Sequence, residues 1–181
     1  MLERLIRMPF FVLLMGAGAL AMFVPAAYAF SLNLPSTGRT FLFGMILFGV
    51  LTLLLAIATA GYAPRNAARS HLTALLAAFL VLPLMLAVPF HQAVYDTSFL
   101  NAWFEMVSSF TTTGATLFDN PYRLSAPLHL WRAEVAWLGG FLVWVMAVAI
   151  LAPMNLGGFE VQAADAPGTG SRGFTQISRI A

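Results

Sequence analysis

The chain has 181 residues, 60% of them hydrophobic and 9% charged, with a mean hydropathy of +0.85. Soluble domains are about 45–50% apolar and about 25% charged, so this composition excludes a soluble globular enzyme, a disordered tail and a nucleic-acid binder. The net charge of +2 comes from nine scattered basic residues, all arginine, and cysteine is absent, which removes disulfides, thiol nucleophiles and thiolate metal sites.

At about 20 apolar residues per crossing, the length accommodates roughly four or five membrane segments. The first apolar run goes from Met8 to Phe30, behind Arg4 and Arg7. Its end, Ala27-Tyr28-Ala29, also fits a signal-peptidase site. A retained helix and a cleaved leader both stay open, and either leaves the next helix starting outside. Asn33, Pro35, Ser36 and Gly38 mark a turn. The second run spans Thr40 to Tyr62 and is stopped by Pro64; two transmembrane helices thus fill residues 1–62. A cytoplasmic loop over 63–71 carries Arg65 and Arg69. The third run spans Leu72 to Phe90, with Pro83 inside and Pro89 near its end; membrane helices tolerate proline because neighbours satisfy the freed carbonyls. The last long run covers Leu130 to Met154, ending at Pro153, Asn155 and Gly157-Gly158. Residues 159–181 are rich in Ala, Gly and Ser and read as a flexible cytoplasmic tail.

Arginine placement orients these runs. One set of flanks holds Arg4, Arg7, Arg65, Arg69, Arg172 and Arg179; the other holds Arg39, Arg123 and Arg132. Six against three puts both termini in the cytoplasm if the first run is retained, a parity that four crossings satisfy.

Between the third and fourth long runs lies a short one, Phe99 to Phe110. At 1.5 Å per residue it makes a helix of roughly 18 Å, too short for a hydrocarbon core about 30 Å thick. It is interfacial or re-entrant. Thr111-Thr112-Thr113-Gly114-Ala115-Thr116 follows, uncharged and a poor helix former. A short helix dipping in and an extended Thr/Gly strand climbing out is the layout of an ion-selectivity loop, whose carbonyls replace a cation's water. Gly114 permits backbone angles that a β-carbon forbids, and the helix aims its negative C-terminal end at the same place. An ordinary extracellular loop can share this composition, so spacing alone leaves both readings open. The expected fold is therefore all-α integral membrane: about four transmembrane helices plus one short re-entrant helix and its loop.

The residues themselves go further. Phe104-Glu105, Ser108 and Thr111 to Thr116 resemble the first filter of the Trk/Ktr/HKT superfamily of potassium transporters, TrkH type. Trp131-Arg132, Trp137-Leu138-Gly139-Gly140, Ala147-Val148-Ala149-Ile150-Leu151 and Gly157-Gly158 match the helix after that filter in order and spacing. The resemblance is firm from Arg69 to Gly158 and thinner upstream. It implies four helix–loop–helix repeats around one pore, with two additional helices in front; here residues 1–62 correspond to that pair and 72–158 to the first repeat. One filter is present where the family has four. Ser178-Arg179-Ile180-Ala181 is similar to the stretch just before a second repeat, which implies an N-terminal piece of a longer transporter. Gln162 to Gly168 departs from the more basic stretch usual there. The resemblance also implies a bacterial inner-membrane location, a cytosolic nucleotide-binding regulatory partner and an oligomer.

Candidate site residues follow. Thr111, Thr112, Thr113, Gly114, Ala115 and Thr116 form the potassium filter. Glu105, Ser108 and Arg132 support it, Glu105 either behind the backbone or as negative potential. Asp96 and Asp119 flank the outer mouth, where they draw cations inward or act as cap and turn residues; Asp96-Thr97-Ser98 is a plausible N-cap cluster. Arg132 and Glu134, two apart on a helix, do not face each other. His91, His129 and His71 lack ligand spacing, so no metal other than transported potassium and no cofactor is expected. Ser108, Ser109 and the threonines lack a positioned base, so the chain is not read as an enzyme. The four tryptophans read mostly as lipid-facing or belt aromatics.

The function expected is potassium transport, with three matching segments from the rest of a longer chain or from other subunits completing the ring. The alternatives are a homotetrameric single-repeat channel and a non-transporting membrane scaffold or remnant. Partners expected are lipid and the remaining pore repeats, with no nucleic acid.

Overall fold

The structure, a computed structural model, describes residues 10–60 and 67–151. The expected leader arginines, part of the loop at 63–71 and the tail at 159–181 lie outside the described residues. By internal contacts the chain divides into two units, 1–142 and 143–181. Every described element is helical: α1 (Phe10–Ala21), α2 (Phe23–Ser31), α3 (Pro35–Ala58), α4 (Ala67–Ala93), α5 (Phe99–Phe110) and α6 (Ala126–Leu151), with a 3-10 turn at Pro121–Arg123.

The first apolar run is not one helix. It breaks at Met22, between α1 and α2, three residues before Pro25. Proline has no N–H and its ring presses on the carbonyl four residues earlier, that of Ala21, which is where α1 ends. Ala27-Tyr28-Ala29 lies inside α2, with Ala29 fully buried. The chain then reverses through Asn33, whose φ of +57° is left-handed. Leu34 N–H donates to Ala29 O at 2.9 Å and Asn33 N–H to Phe30 O at 3.1 Å, the paired bonds of a Schellman helix end. Pro35 opens α3 at a first-turn position, where its missing N–H costs nothing. So α3 starts at Pro35, not Thr40, and the turn residues Ser36 and Gly38 sit in its first turn.

α4 is longer than its apolar run. It begins at Ala67, so residues 67–70 are helical where the sequence predicts loop, and it continues through Pro83 and Pro89 to Ala93. The buried indole of Trp131 donates to the Leu86 carbonyl at 3.2 Å, one turn before Pro89. A neighbouring helix thus serves a backbone group in the stretch that proline disturbs. Trp131 is accordingly a core residue and not a belt aromatic, fully buried and edge-on to Phe41 at 5.4 Å between ring centroids. α6 begins at Ala126, four residues ahead of the predicted run.

Three described segments are long and apolar enough to cross a membrane: 10–31, 35–58 and 126–147. α4, with 27 residues, spans about 40 Å and has the length of a fourth. Leu20, Phe43, Leu47, Leu53 and Ile57 are exposed, as expected of faces turned to lipid. Between such helices the driving force is close packing and not water exclusion. Met22, Phe41, Leu86, Phe90, Met106 and Val135 supply that packing, all fully buried.

Candidate ion pathway

α5 is the short helix the sequence predicts, with the same bounds. Its twelve residues reach about 18 Å. Ser98 caps it: its backbone is extended and its Oγ accepts the Asn101 N–H at 3.2 Å. One face is buried, carrying Ala102, Glu105, Met106, Ser108, Ser109 and Phe110.

The C-terminal end of α5 builds the site. Thr113 N–H donates to Ser108 O and Thr112 N–H to Ser109 O, both at 2.9 Å. With Thr111 as C-cap, this is a second Schellman end, and Thr112 occupies the left-handed position at φ +57°. Glycine normally stands there because it has no β-carbon. Gly114 N–H also turns back to Ser108 O, at 3.3 Å, and Gly114 is left-handed at φ +74°. The strand predicted from Thr111 therefore does not begin extended: residues 111–113 first wind into the helix end. The hydroxyls are engaged too. Thr111 Oγ1 donates to Val107 O at 2.8 Å, so Thr113 Oγ1, 2.8 Å away, is the donor to Thr111.

This leaves an asymmetry. The N–H groups of Thr111 to Gly114 all point back into the last turn of α5. Among the described residues, no hydrogen bond reaches their carbonyls, and residues 111–117 are exposed. The row ends at Ala115, whose carbonyl accepts the Ser108 hydroxyl at 2.6 Å. Ser108 thus separates Ala115 from the open carbonyls before it.

Glu105 holds the far side of the loop. Its side chain is fully buried. Oε1 accepts the Thr116 hydroxyl at 2.8 Å and the Leu117 N–H at 2.6 Å. The Thr116 hydroxyl in turn accepts the Phe118 N–H at 3.2 Å. Oε2 lies 3.0 Å from Arg132 Nη2 on α6, close enough for an ion pair but without hydrogen-bond alignment. Such a pair tolerates burial only when its remaining polar atoms are satisfied, and the loop supplies two of those bonds. Arg132 and Glu134 do not pair, in keeping with their spacing.

The outer-mouth residues separate. Asp96 is ion-paired with Arg123 at 2.7 Å, and Arg123 also donates to the Asp96 carbonyl at 3.2 Å. The Arg123 guanidinium stands 5.4 Å from the Phe118 ring centroid. The negative charge of Asp96 is thus matched locally, and the helix cap is Ser98 alone. Asp119 is exposed; its neighbour Asn120 caps the 3-10 turn by accepting the Tyr122 N–H at 3.0 Å. His129 Nε2 lies 2.9 Å from Pro121 O, and His91 meets the Phe99 ring edge-on. No group of His, Asp and Glu that could hold a metal ion occurs among the described residues.

Sequence reasoning missed three features. The left-handed Thr112 has no local signal, since threonine is a poor choice there. The buried Trp131 is signalled only by Pro89, which disturbs a neighbouring turn. The tie from Glu105 to Thr116 and Leu117 spans twelve residues and has no periodic signature.

A half-length helix and a non-helical loop between longer apolar helices, clasped by a buried ion pair, define a helical membrane protein with a hairpin built like a pore loop. The family of cation transport proteins named TrkH matches residues 36–172, and the chain belongs to that family, whose members are transporters and not enzymes. It is 41% identical over 86 residues to the Trk system potassium uptake protein TrkI of Halomonas elongata, covering 48% of this chain and 16% of that one. It is 38% identical over 73 residues to TrkG, a Trk system potassium uptake protein of Escherichia coli K12, covering 40% and 15%. An uncharacterized cation transporter of Methanocaldococcus jannaschii is 30% identical over 118 residues, covering 65% and 24%. The chain thus spans about a sixth of the first two relatives, which are 16% and 15% covered. No solved structure matches.

Proposed function

We propose that this chain carries one quarter of a potassium pathway, the first pore repeat of a Trk-type uptake protein. The observation that carries the proposal is the open row of carbonyls from Thr111 to Gly114, whose own N–H groups are bonded elsewhere. A surface that can only accept suits a dehydrated cation, and the C-terminal end of α5 adds negative potential beside it. Potassium sheds water as these oxygens replace it; no covalent step is involved. Ser108, Glu105 and Arg132 hold the loop from behind. Asp119, with no ion pair among the described residues, adds negative potential at the mouth.

One loop cannot surround an ion, so three matching segments complete the ring, from the rest of a longer chain or from other subunits. The relatives' names, all Trk potassium uptake proteins in the first two cases, support potassium as the cargo. The arginine pattern supports both termini in the cytoplasm, and the family resemblance supports a bacterial inner membrane. A cytosolic nucleotide-binding regulatory partner and an oligomeric assembly belong to the same reading.

Rubidium uptake into liposomes tests it, with the chain reconstituted alone and with the remaining repeats, and Gly114→Arg as the blocked control. Uptake only in the complete assembly, abolished by the substitution, is the expected result. Uptake by the chain alone makes it a self-assembled single-repeat channel. Uptake by the complete assembly that ignores Gly114→Arg removes the filter from the pathway.

A further inference from the structure

The carbonyl row is anchored by a helix that contributes no residue to it. A β-carbon at Gly139, on α6, would fall onto the backbone carbonyl of Phe110. This is a collision with main chain, which no rotamer change relieves. α6 therefore meets the last turn of α5 through bare backbone, an approach that glycine alone permits. The geometry sets a Cα–H of Gly139 against the Phe110 oxygen, a weak hydrogen bond of the kind that recurs at helix contacts. One residue on, a β-carbon at Gly140 would stand 3.5 Å from Thr112 Cγ2, at ordinary contact distance.

Phe110 is the last residue of α5 and Thr112 is the left-handed residue after the cap. The two glycines therefore bracket the turn from which the open carbonyls depart. The same turn is pinned on its other side, where the buried Phe110 ring meets Phe79 of α4 edge-on at 5.3 Å. A β-branched residue at positive φ persists only where its surroundings over-determine it. Glycine inside a helix is itself less favourable than alanine, and α6 carries two in succession at this contact.

We propose that Gly139, with Gly140 beside it, is a positioning residue for the ion pathway. The approach of α6 to Phe110 fixes Thr112 in its left-handed conformation, and so sets where the carbonyls of Thr111 to Gly114 stand. The proposal rests on the transport reading for what those carbonyls bind, but not for where they are.

Solid-state NMR of the whole chain in lipid bilayers tests it, with 13C at the Phe110 carbonyl, the Gly139 Cα and residues Thr111 to Gly114. In the unaltered chain a direct-contact dipolar coupling between Phe110 and Gly139 is expected, with Thr112 shifts typical of a left-handed residue. Gly139→Ala is expected to abolish the coupling and to move the Thr112 and Gly114 signals. Gly49→Ala, where nothing lies within 4 Å, is expected to leave both unchanged. No coupling in the unaltered chain overturns the proposal, a readout that stands even if Gly139→Ala fails to insert. So do Thr112 signals that stay in place in an inserted Gly139→Ala. Titrating the unaltered chain, reconstituted with the remaining repeats, with potassium and then sodium separates the two readings. Carbonyl signals from Thr111 to Gly114 that respond to neither ion count against transport, while the Phe110–Gly139 coupling reports on the seat alone.

Discussion

The buried Glu105–Arg132 pair makes the sharpest stability prediction, because its two halves have unequal surroundings. Glu105 is fully buried, while the Arg132 side chain keeps 19% exposure. Removing arginine leaves a buried carboxylate without its cation, and breaking a buried pair this way costs about 3–5 kcal/mol. Glu105→Gln is milder. Its amide oxygen still accepts from Thr116 and Leu117, and the orphaned guanidinium reaches solvent or headgroups, so the loss is about 1–3 kcal/mol. Once Glu105→Gln has removed the charge, Arg132→Gln has little left to break. The double variant should therefore fall well short of the sum of the singles, with a coupling of about 1–3 kcal/mol. SDS-induced unfolding in mixed micelles, followed by tryptophan fluorescence, reads all four corners of the cycle. Additive singles, or an Arg132→Gln no more costly than Glu105→Gln, would refute the argument that the carboxylate is the dependent partner.

Other substitutions carry their own expectations. Thr112→Gly should raise the unfolding midpoint, because a β-branched residue leaves φ +57° and about 1–3 kcal/mol of strain is released; Gly114→Ala, at φ +74°, should lower it by about 1–2 kcal/mol. Trp131→Phe removes the indole bond to the Leu86 carbonyl and should cost about 0.5–1.5 kcal/mol, read by the same titration. Breaking the exposed Asp96–Arg123 pair should cost no more than about 1 kcal/mol, and the difference should shrink as salt rises, in parallel unfolding series at low and high ionic strength.

The membrane class, the order of the runs and the limits of α5 were legible because each rests on local composition or length. Phe99 and Phe110 bound a run too short to cross, and the helix has those bounds. What failed to show locally depends on a partner far along the chain. Pro25 announces its effect on α1, but not that the first run becomes two helices with the break at Met22. Apolarity marks the third run from Leu72, whereas the helix starts at Ala67 through residues whose helical preference no hydrophobic pattern reports. Trp131 reads as a lipid-facing aromatic until its N–H is placed on the Leu86 carbonyl, 45 residues away along the chain. In residues 111–116, Thr and Gly content marked a non-helical stretch, yet the winding of residues 111–113 into a helix end comes from Val107, Ser108 and Ser109 accepting their N–H groups.

The two Schellman ends in this chain form an internal comparison. Both close a helix with the same pair of bonds, and both place a non-glycine residue at φ 57°. At the α2 end that residue is asparagine, whose short polar side chain tolerates the left-handed region. The local rule is respected there, and the turn does no more than reverse the chain into α3. At the α5 end it is threonine, which the same rule disfavours, and a helix from elsewhere in the sequence has no β-carbon at Gly139, where it meets Phe110 two residues earlier. Places where local preference is overridden by distant contacts are where function is expected to reside. Had the α5 end required only closure, asparagine or glycine would serve at position 112. On the proposed reading, a threonine held there by the approach of Gly139 keeps the turn rigid, which is what a fixed row of carbonyls offered to a cation would demand of the backbone beneath it.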